Sequence, residues 1–256
     1  MNVFLFGQVG DKPVPELDSF VQNSDGNLEI GFSGVEVVEV DPEDNLRWLD
    51  LVDDDTKRKW ERWRVPKDKR ELEWSRNHEY PLNDLFDKLE GYCNEKSETE
   101  RFFYNMFVSL SMSEGFMAPE AAGPALLPNV YVNWYADKLE RVKNVEPYVA
   151  DFMLKYESIE DGETTIIEID GPSHYATYDE VEREYTMSEE VYARHCRKDL
   201  WLRRHGFNVV RIGRADMMSI RDLPEEDRLE AFYKYWNNIF DDSAWIEGFE
   251  DIDPPF

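Results

Sequence analysis

Cysteine is scarce. Cys93 and Cys196 stand far apart and offer no metal-like spacing, a usage that fits a reducing cytoplasm rather than a disulfide framework. Long apolar runs are missing as well. The opening Met-Asn-Val-Phe-Leu-Phe lacks the basic start and extended apolar stretch of a secretory signal. No later run approaches the roughly 20 residues needed to cross a bilayer. The expectation is a soluble cytoplasmic protein with no membrane partner. The third shortage is positive charge: 29 Lys and Arg face 56 Asp and Glu, for a net charge of −27. Such a body repels a nucleic-acid backbone as a whole, so a polyanion must meet a local basic patch, bridging metal ions or a partner subunit. The charge also has a plainer reading, as solubility or adaptation to a salt-rich habitat.

What is present suffices for a core. Hydrophobic residues make up 41% of the chain and aromatics 14%, which argues against disorder. Its 256 residues suit one large domain, or a core domain with a smaller companion. Residues 3–6, 28–32 and 35–40 read as short strands broken by Gly10, Gly26 and Gly34. From Asp41 the pattern turns helical, with Asp41 as cap, Pro42 in the first turn, and Leu46, Leu49, Leu51 and Val52 opening an apolar stripe. Residues 57–70 are rich in Lys, Arg and Trp. They read as amphipathic helices burying Trp60 and Trp63, with Trp74 beyond them, or as a nucleic-acid contact; burial is favoured. A further helix follows Pro81 through Leu82, Leu85, Phe86 and Leu89.

Ser97 and Glu100 fit a capping box at the head of a strong helix carrying Phe102, Phe103, Met106, Phe107 and Leu110. Capping alone accounts for Glu100, and a catalytic role stays open beside it. Residues 118–128 read as a loop, 129–135 as a strand, and 137–146 as a polar loop or short helix. Strands over 148–156 and 163–170 flank the turn residues Glu160-Asp161-Gly162. An even-numbered loop puts Asp151 on the face of Glu168 and Asp170, and puts Phe152 and Leu154 with Ile167 and Ile169. Residues 176–187 read as a loop. Ser188 caps a helix running to about His205, Gly206 stops it, 207–212 form a strand, and 225–240 form an amphipathic helix. The acidic tail from 241 is a solvated end or an imitation of a nucleic-acid backbone. From Ser97 the order is helix, three strands, helix, strand: an α/β class with a mixed sheet flanked by helices.

The chemistry concentrates in Thr165-Ile-Ile-Glu-Ile-Asp-Gly-Pro-Ser-His-Tyr175. Paired carboxylates on an apolar strand repel one another unless neutralised, and hard Mg²⁺ or Mn²⁺ is the usual remedy. Asp151, Glu168 and Asp170 are the metal candidates. His174 reads as a proton carrier or phosphate contact, or as a histidine fixing the Gly-Pro turn. His78, His195 and His205 read as structural. Residues 191–214 hold Arg194, Arg197, Lys198, Arg203, Arg204, Arg211 and Arg214 against Asp199 alone. That local excess is a candidate phosphate track, or a set of cations paired with surrounding acids.

On these residues, 97–214 resembles the PD-(D/E)XK nuclease superfamily, nearest to very-short-patch-repair-like endonucleases and the RAP domain. Glu-Ile-Asp-Gly-Pro-Ser-His-Tyr is especially similar to the RAP signature, and Lys198 to Ile212 resembles the helix and strand that follow. The resemblance implies a restriction-endonuclease-like mixed sheet flanked by helices over 96–240, an N-terminal α+β extension over 1–95, and the tail 241–256. It implies an endonuclease using Mg²⁺ or Mn²⁺, with DNA favoured over RNA as partner. A non-catalytic RAP-like RNA-binding module is the alternative. Glu100, Asp151 and Glu168 resemble the superfamily's acids, with Asp170 and the backbone carbonyl of Ile169 joining the metal set. Where the superfamily motif ends in lysine this chain has Asp170, so Lys198 or Lys155 would supply the amine, and His174 would assist. Arg194, Arg197, Arg203, Arg204 and Arg211 would bind the nucleic acid. Residues 1–95 would serve substrate choice, dimerisation or docking to a protein partner that delivers substrate.

Overall fold

The computed structural model describes residues 2–7, 16–22, 28–33, 35–40, 44–64, 67–95, 97–112, 123–132, 148–155, 164–180 and 182–240. Its centre is a six-stranded sheet built from β1 (Asn2–Phe6), β4 (Glu36–Val40), β5 (Leu126–Tyr131), β6 (Val149–Lys155), β7 (Thr164–Asp170) and β10 (Phe207–Gly213), in the order β10-β7-β6-β5-β1-β4. All neighbours are antiparallel except β10 and β7, which run parallel from Phe207↔Thr164 to Gly213↔Asp170. A parallel pair needs a crossover, and α5 (Glu189–Arg204) supplies it. Ser188 accepts the Val191 N–H at 3.3 Å to start α5, and Gly206 at φ 82° follows its end. Two small antiparallel pairs stand outside the sheet, β2 (Glu16–Gln22) with β3 (Leu28–Ser33), and β8 (Ala176–Asp179) with β9 (Glu184–Met187).

The middle strands are buried along nearly their whole length, with both faces covered, polar residues included. Phe152↔Ile167 fixes the register of β6 on β7. On that face Phe152 packs against Phe103 of α4 (Glu98–Met112), and Phe103 packs in turn on Phe232 and Trp236 of α7 (Glu225–Phe240). The opposite parity carries Asp151 and Glu168, as the alternation of residues predicts. The helices α1 (Asp54–Arg64) and α3 (Asn83–Glu90) join the same core through aromatic rings, and α2 (Lys69–Asn77), which buries no residue, lies against α1. Trp60 meets Tyr80 at 5.4 Å, Tyr80 meets Phe86 at 6.0 Å, Phe86 meets Trp48 at 5.0 Å, and Trp48 meets Phe107 at 6.2 Å. With β1 and β4 in the central sheet, the N-terminal α+β region extends the core domain.

Three expectations need correction, and one further helix joins the expected elements. The apolar stripe from Leu46 begins as extended chain and a 3-10 turn, Trp48–Leu51. Leu46 donates to the Lys155 carbonyl and accepts from Ala125, both at 2.9 Å, bonds that an α-helix would forbid. Its proposed starters Asp41 and Pro42 lie outside the described residues. Of the strand expected over 129–135, residues 133–135 lie outside the described residues. The described strand spans Leu126–Tyr131 and takes in 126–128, expected as loop, with Pro128 on the edge that the β1 ladder does not reach. Residues 176–187 form the β8–β9 hairpin, in which Tyr178 and Tyr185 pair across the strands at 5.0 Å. A short helix, α6 (Arg214–Arg221), follows β10 directly. The acidic tail, the turn at 160–162 and the segment 137–146 lie outside the described residues.

Candidate active site

The β6–β7 register sets Asp151 across from Glu168, and the pairing opens at that point. Asp151 Oδ2 accepts the Ile169 N–H at 2.9 Å, so the carboxylate bridges the strands where their ladder ends. Glu168 is 1% exposed. Lys198 of α5 places Nζ 2.7 Å from Glu168 Oε1 and 3.0 Å from the Val149 carbonyl, with the Tyr148 ring centroid 5.9 Å away. Burial pushes the Glu168 carboxyl up, Lys198 opposes that shift, and the neighbouring Asp151 charge adds to it. Of the two candidate lysines, Lys198 is the one that meets Glu168. Lys155, at the far end of β6 from Asp151, bonds the Asp44 carbonyl.

Glu100 enters from the first turn of α4. Its N–H donates to Ser97 Oγ at 3.2 Å, the hydroxyl half of a capping box. Its buried carboxylate reaches further back and accepts the Asn94 N–H at 3.2 Å. Glu100, Asp151 and Ile169 line a cleft of about 780 Å³ together with His174, Tyr185 and Arg214. Tyr185 arrives on the β8–β9 hairpin, from a segment whose sequence reads as polar loop.

Asp170 and Arg211 have other partners than the sequence suggests. Arg211 forks onto Asp199, with Nε 2.9 Å from Oδ2 and Nη2 2.8 Å from Oδ1, and its Nη1 contacts Asp170. His174 Nδ1 lies 2.8 Å from the same Asp170 oxygen. Burial favours a protonated Asp170, but His174 and Arg211 outweigh it and hold the carboxyl below its ordinary value. Burial likewise works against the Arg211 charge, and Asp199 and Asp170 overcome it and raise the guanidinium. The structure therefore ties Asp170 into an ion-pair network with His174 and Arg211, and it commits Arg211 to internal carboxylates rather than to an external phosphate. Arg194, Arg197, Arg203 and Arg204 are exposed along α5 and make no ion pair among the described residues.

His195 reads as structural in the sequence, yet its ring lies 4.6 Å from that of His174. Burial, then the charges of His174, Arg211, Lys198 and Arg194, lower its pKa to about 4. The spacing holds the signal: His195 precedes Lys198 by three residues, which puts the two on neighbouring turns of one helix face. His78 and His205 lie instead on Trp74 and Trp201, at 4.2 and 3.9 Å.

Among the described residues no three His, Cys, Asp or Glu side chains stand close enough to form a ready-made metal cage. The donors at the cleft are hard oxygens, the carboxylates of Asp151 and Glu100 and the backbone of Ile169, with the buried Glu168 behind Asp151. That set suits magnesium, which is commonly held by one or two carboxylates with waters and substrate phosphate. No helix of the described residues is long and apolar enough to cross a membrane. No protein-family model, curated protein or solved structure matches this chain.

Proposed function

We propose that the chain is a Mg²⁺- or Mn²⁺-dependent nuclease hydrolysing phosphodiester bonds, acting on DNA in preference to RNA, with a PD-(D/E)XK-like core. The observation that carries this reading is the buried Lys198–Glu168 pair set across from Asp151, a carboxylate that lines an open cleft with Glu100. A purely structural element gains little from two opposed buried carboxylates, since each raises the cost of ionising the other. The order α4, β5, β6, β7, α5, β10, with β10 parallel to β7, also agrees with the resemblance in the sequence.

Asp151, Glu168 and the Ile169 carbonyl would hold the ion, with Glu100 across the cleft. When bound, such an ion polarises the scissile phosphate and makes water a stronger nucleophile. Lys198 offsets negative charge that develops at the phosphate. His174, steadied by Asp170, is placed to move a proton at the cleft wall. The exposed α5 arginines hold the flanking backbone against the repulsion of the acidic body.

The test is cleavage of labelled single- and double-stranded DNA and RNA with Mg²⁺ or Mn²⁺, comparing the chain with Glu168→Ala, alongside calorimetric titration of Mn²⁺. Cleavage that needs the ion and vanishes in the variant is expected. Neither cleavage nor metal binding would overturn the reading and leave a RAP-like RNA-binding module as its replacement.

A further inference from the structure

Residues 57–76 hold nine Lys and Arg against four Asp and Glu, inside a chain that holds 29 against 56. Three of the acids around α1 and α2, Asp53, Asp68 and Glu71, are tied to helix N-termini, while Glu61 and Glu73 lie within the helices. Asp53 accepts the Thr56 N–H at 2.8 Å. Asp68 Oδ1 accepts the N–H groups of Arg70 and Glu71 at 2.8 and 3.0 Å, and Glu71 Oε2 accepts the Lys67 N–H at 2.6 Å. These carboxylates answer unsatisfied backbone donors and the positive end of the helix dipole, so they neutralise few side-chain cations.

The cations fall into two groups. Arg58 and Lys59 are paired with Asp55 at 3.9 and 2.8 Å. Arg62, Lys67, Lys69, Arg70 and Arg76 are exposed and make no ion pair among the described residues. Arg64 is the sharper case. Its Nε and Nη1 are closed to solvent, yet neither has a hydrogen-bond partner among the described residues. Two sealed donors without an acceptor are costly, and a shift of this half-buried side chain toward a bound anion would relieve them.

An aromatic surface accompanies the charge. Arg62 Cζ stands 4.6 Å from the Trp74 ring centroid, and His78 stacks on Trp74 at 4.2 Å with the planes 22° apart. Arg70, Trp74 and His78 recur every fourth residue, so they share a side of α2 and its end. Trp60 and Trp63 turn inward onto Tyr80, at 5.4 and 4.8 Å, and fix α1 to the core.

We propose that the α1–α2 face is a second nucleic-acid site, gripping phosphates with Arg62, Arg64, Arg70 and their lysine neighbours and offering bases the outer face of the exposed His78, which Trp74 backs. The choice of nucleic acid over an acidic protein segment rests on the nuclease reading of the cleft and on the cation-bearing aromatics, which suit bases as well as phosphates. The site gives an acidic nuclease a way to dock its substrate.

Its test is fluorescence anisotropy of labelled single- and double-stranded oligonucleotides on the full chain, in chelator so that cleavage plays no part. The variant Arg62→Glu/Arg64→Glu/Arg70→Glu should bind at least about tenfold more weakly at low salt. Its log Kd should also depend less steeply on log salt, by roughly one unit for each phosphate no longer neutralised. Arg62→Gln/Arg70→Gln touches only exposed side chains and should flatten the same slope if the triple variant fails to fold. Unchanged affinity and slope in that pair would overturn the site. So would binding of a poly-glutamate peptide, sensitive to these substitutions, with no oligonucleotide binding. Oligonucleotide binding that responds to these variants without metal-dependent cleavage would keep this site and sink the nuclease reading instead.

Discussion

Lys198 Nζ and Glu168 Oε1 are 2.7 Å apart, one carried by the crossover helix and the other by a central strand, and both side chains are nearly sealed from water. Two residues along the same strand, Asp170 holds Arg211 and His174. The two carboxylates of one strand thus take their cations from different elements, Glu168 from α5 and Asp170 from β10.

That pair has a measurable stability signature. Lys198→Met leaves Glu168 buried opposite Asp151 with no ammonium beside it, which should cost about 3–5 kcal/mol in urea unfolding. Glu168→Gln/Lys198→Met removes both charges and should recover most of the loss. The sign of the pH dependence follows from Glu168. Its folded pKa lies above its unfolded value, so its protonated form favours the fold and stability falls as pH rises through the folded pKa. The penalty of Lys198→Met should therefore be larger near about pH 8 than near about pH 5. Equal penalties at both would mean that Glu168 does not carry the cost.

Asp151 serves structure and chemistry through different properties, and two substitutions separate them. Asp151→Asn keeps an oxygen that can accept the Ile169 N–H, whereas Asp151→Ala leaves that buried donor without it. The alanine variant should lose about 1–3 kcal/mol and the asparagine variant much less. Both should lose cleavage and Mn²⁺ affinity, because both lose the charge. Cleavage surviving in Asp151→Asn would remove this residue from the ion's donor set.

Arg211 and the outer arginines of α5 should respond in opposite ways. Arg211→Met strips Asp199 and Asp170 of a shared partner and should destabilise the fold by about 2–4 kcal/mol, with little change in the salt dependence of oligonucleotide binding. Arg197→Gln/Arg204→Gln should leave stability within about 0.5 kcal/mol and reduce that salt slope. A flattened slope in Arg211→Met would return this residue to the phosphate track.

Local signals are legible where neighbours in sequence decide the outcome. The Ser188 cap, the Gly206 stop and the alternation in 164–170 need no distant contact to be read. The shared face of Asp151 and Glu168 follows from period-two geometry, and the hairpin register agrees with it. Tertiary contacts decide the rest. Leu46 is extended because Lys155 and Ala125 offer it sheet bonds, and the 176–187 hairpin stands on cross-strand tyrosines that composition does not announce. Asp170 resembles Glu168 on the strand, and only the arrival of Arg211 from β10 and of His174 distinguishes them. His195 looks idle until folding places it against His174.

His195 gives the protein a pH dependence of its own. Its pKa falls from 6.5 to about 4 because burial disfavours the imidazolium and because His174, Arg211, Lys198 and Arg194 surround it with positive charge. The unfolded chain takes up this proton more readily than the folded one, so stability is fully present above the unfolded pKa. It declines as pH falls from 6.5 toward about 4. Part of the ring faces solvent, which screens those charges and reduces the effect to about 1 kcal/mol. Asp170 opposes no part of this trend, since its lowered pKa places its own loss at the acid end, below the ordinary carboxylate range. Urea unfolding of the chain and of His195→Gln at half-unit steps of pH across this window should show the chain losing stability relative to the variant as pH falls, whatever slope Glu168 gives to both. Parallel slopes would mean that His195 is charged in the fold, and a charged His195 would have to draw a carboxylate away from Arg211 or Lys198.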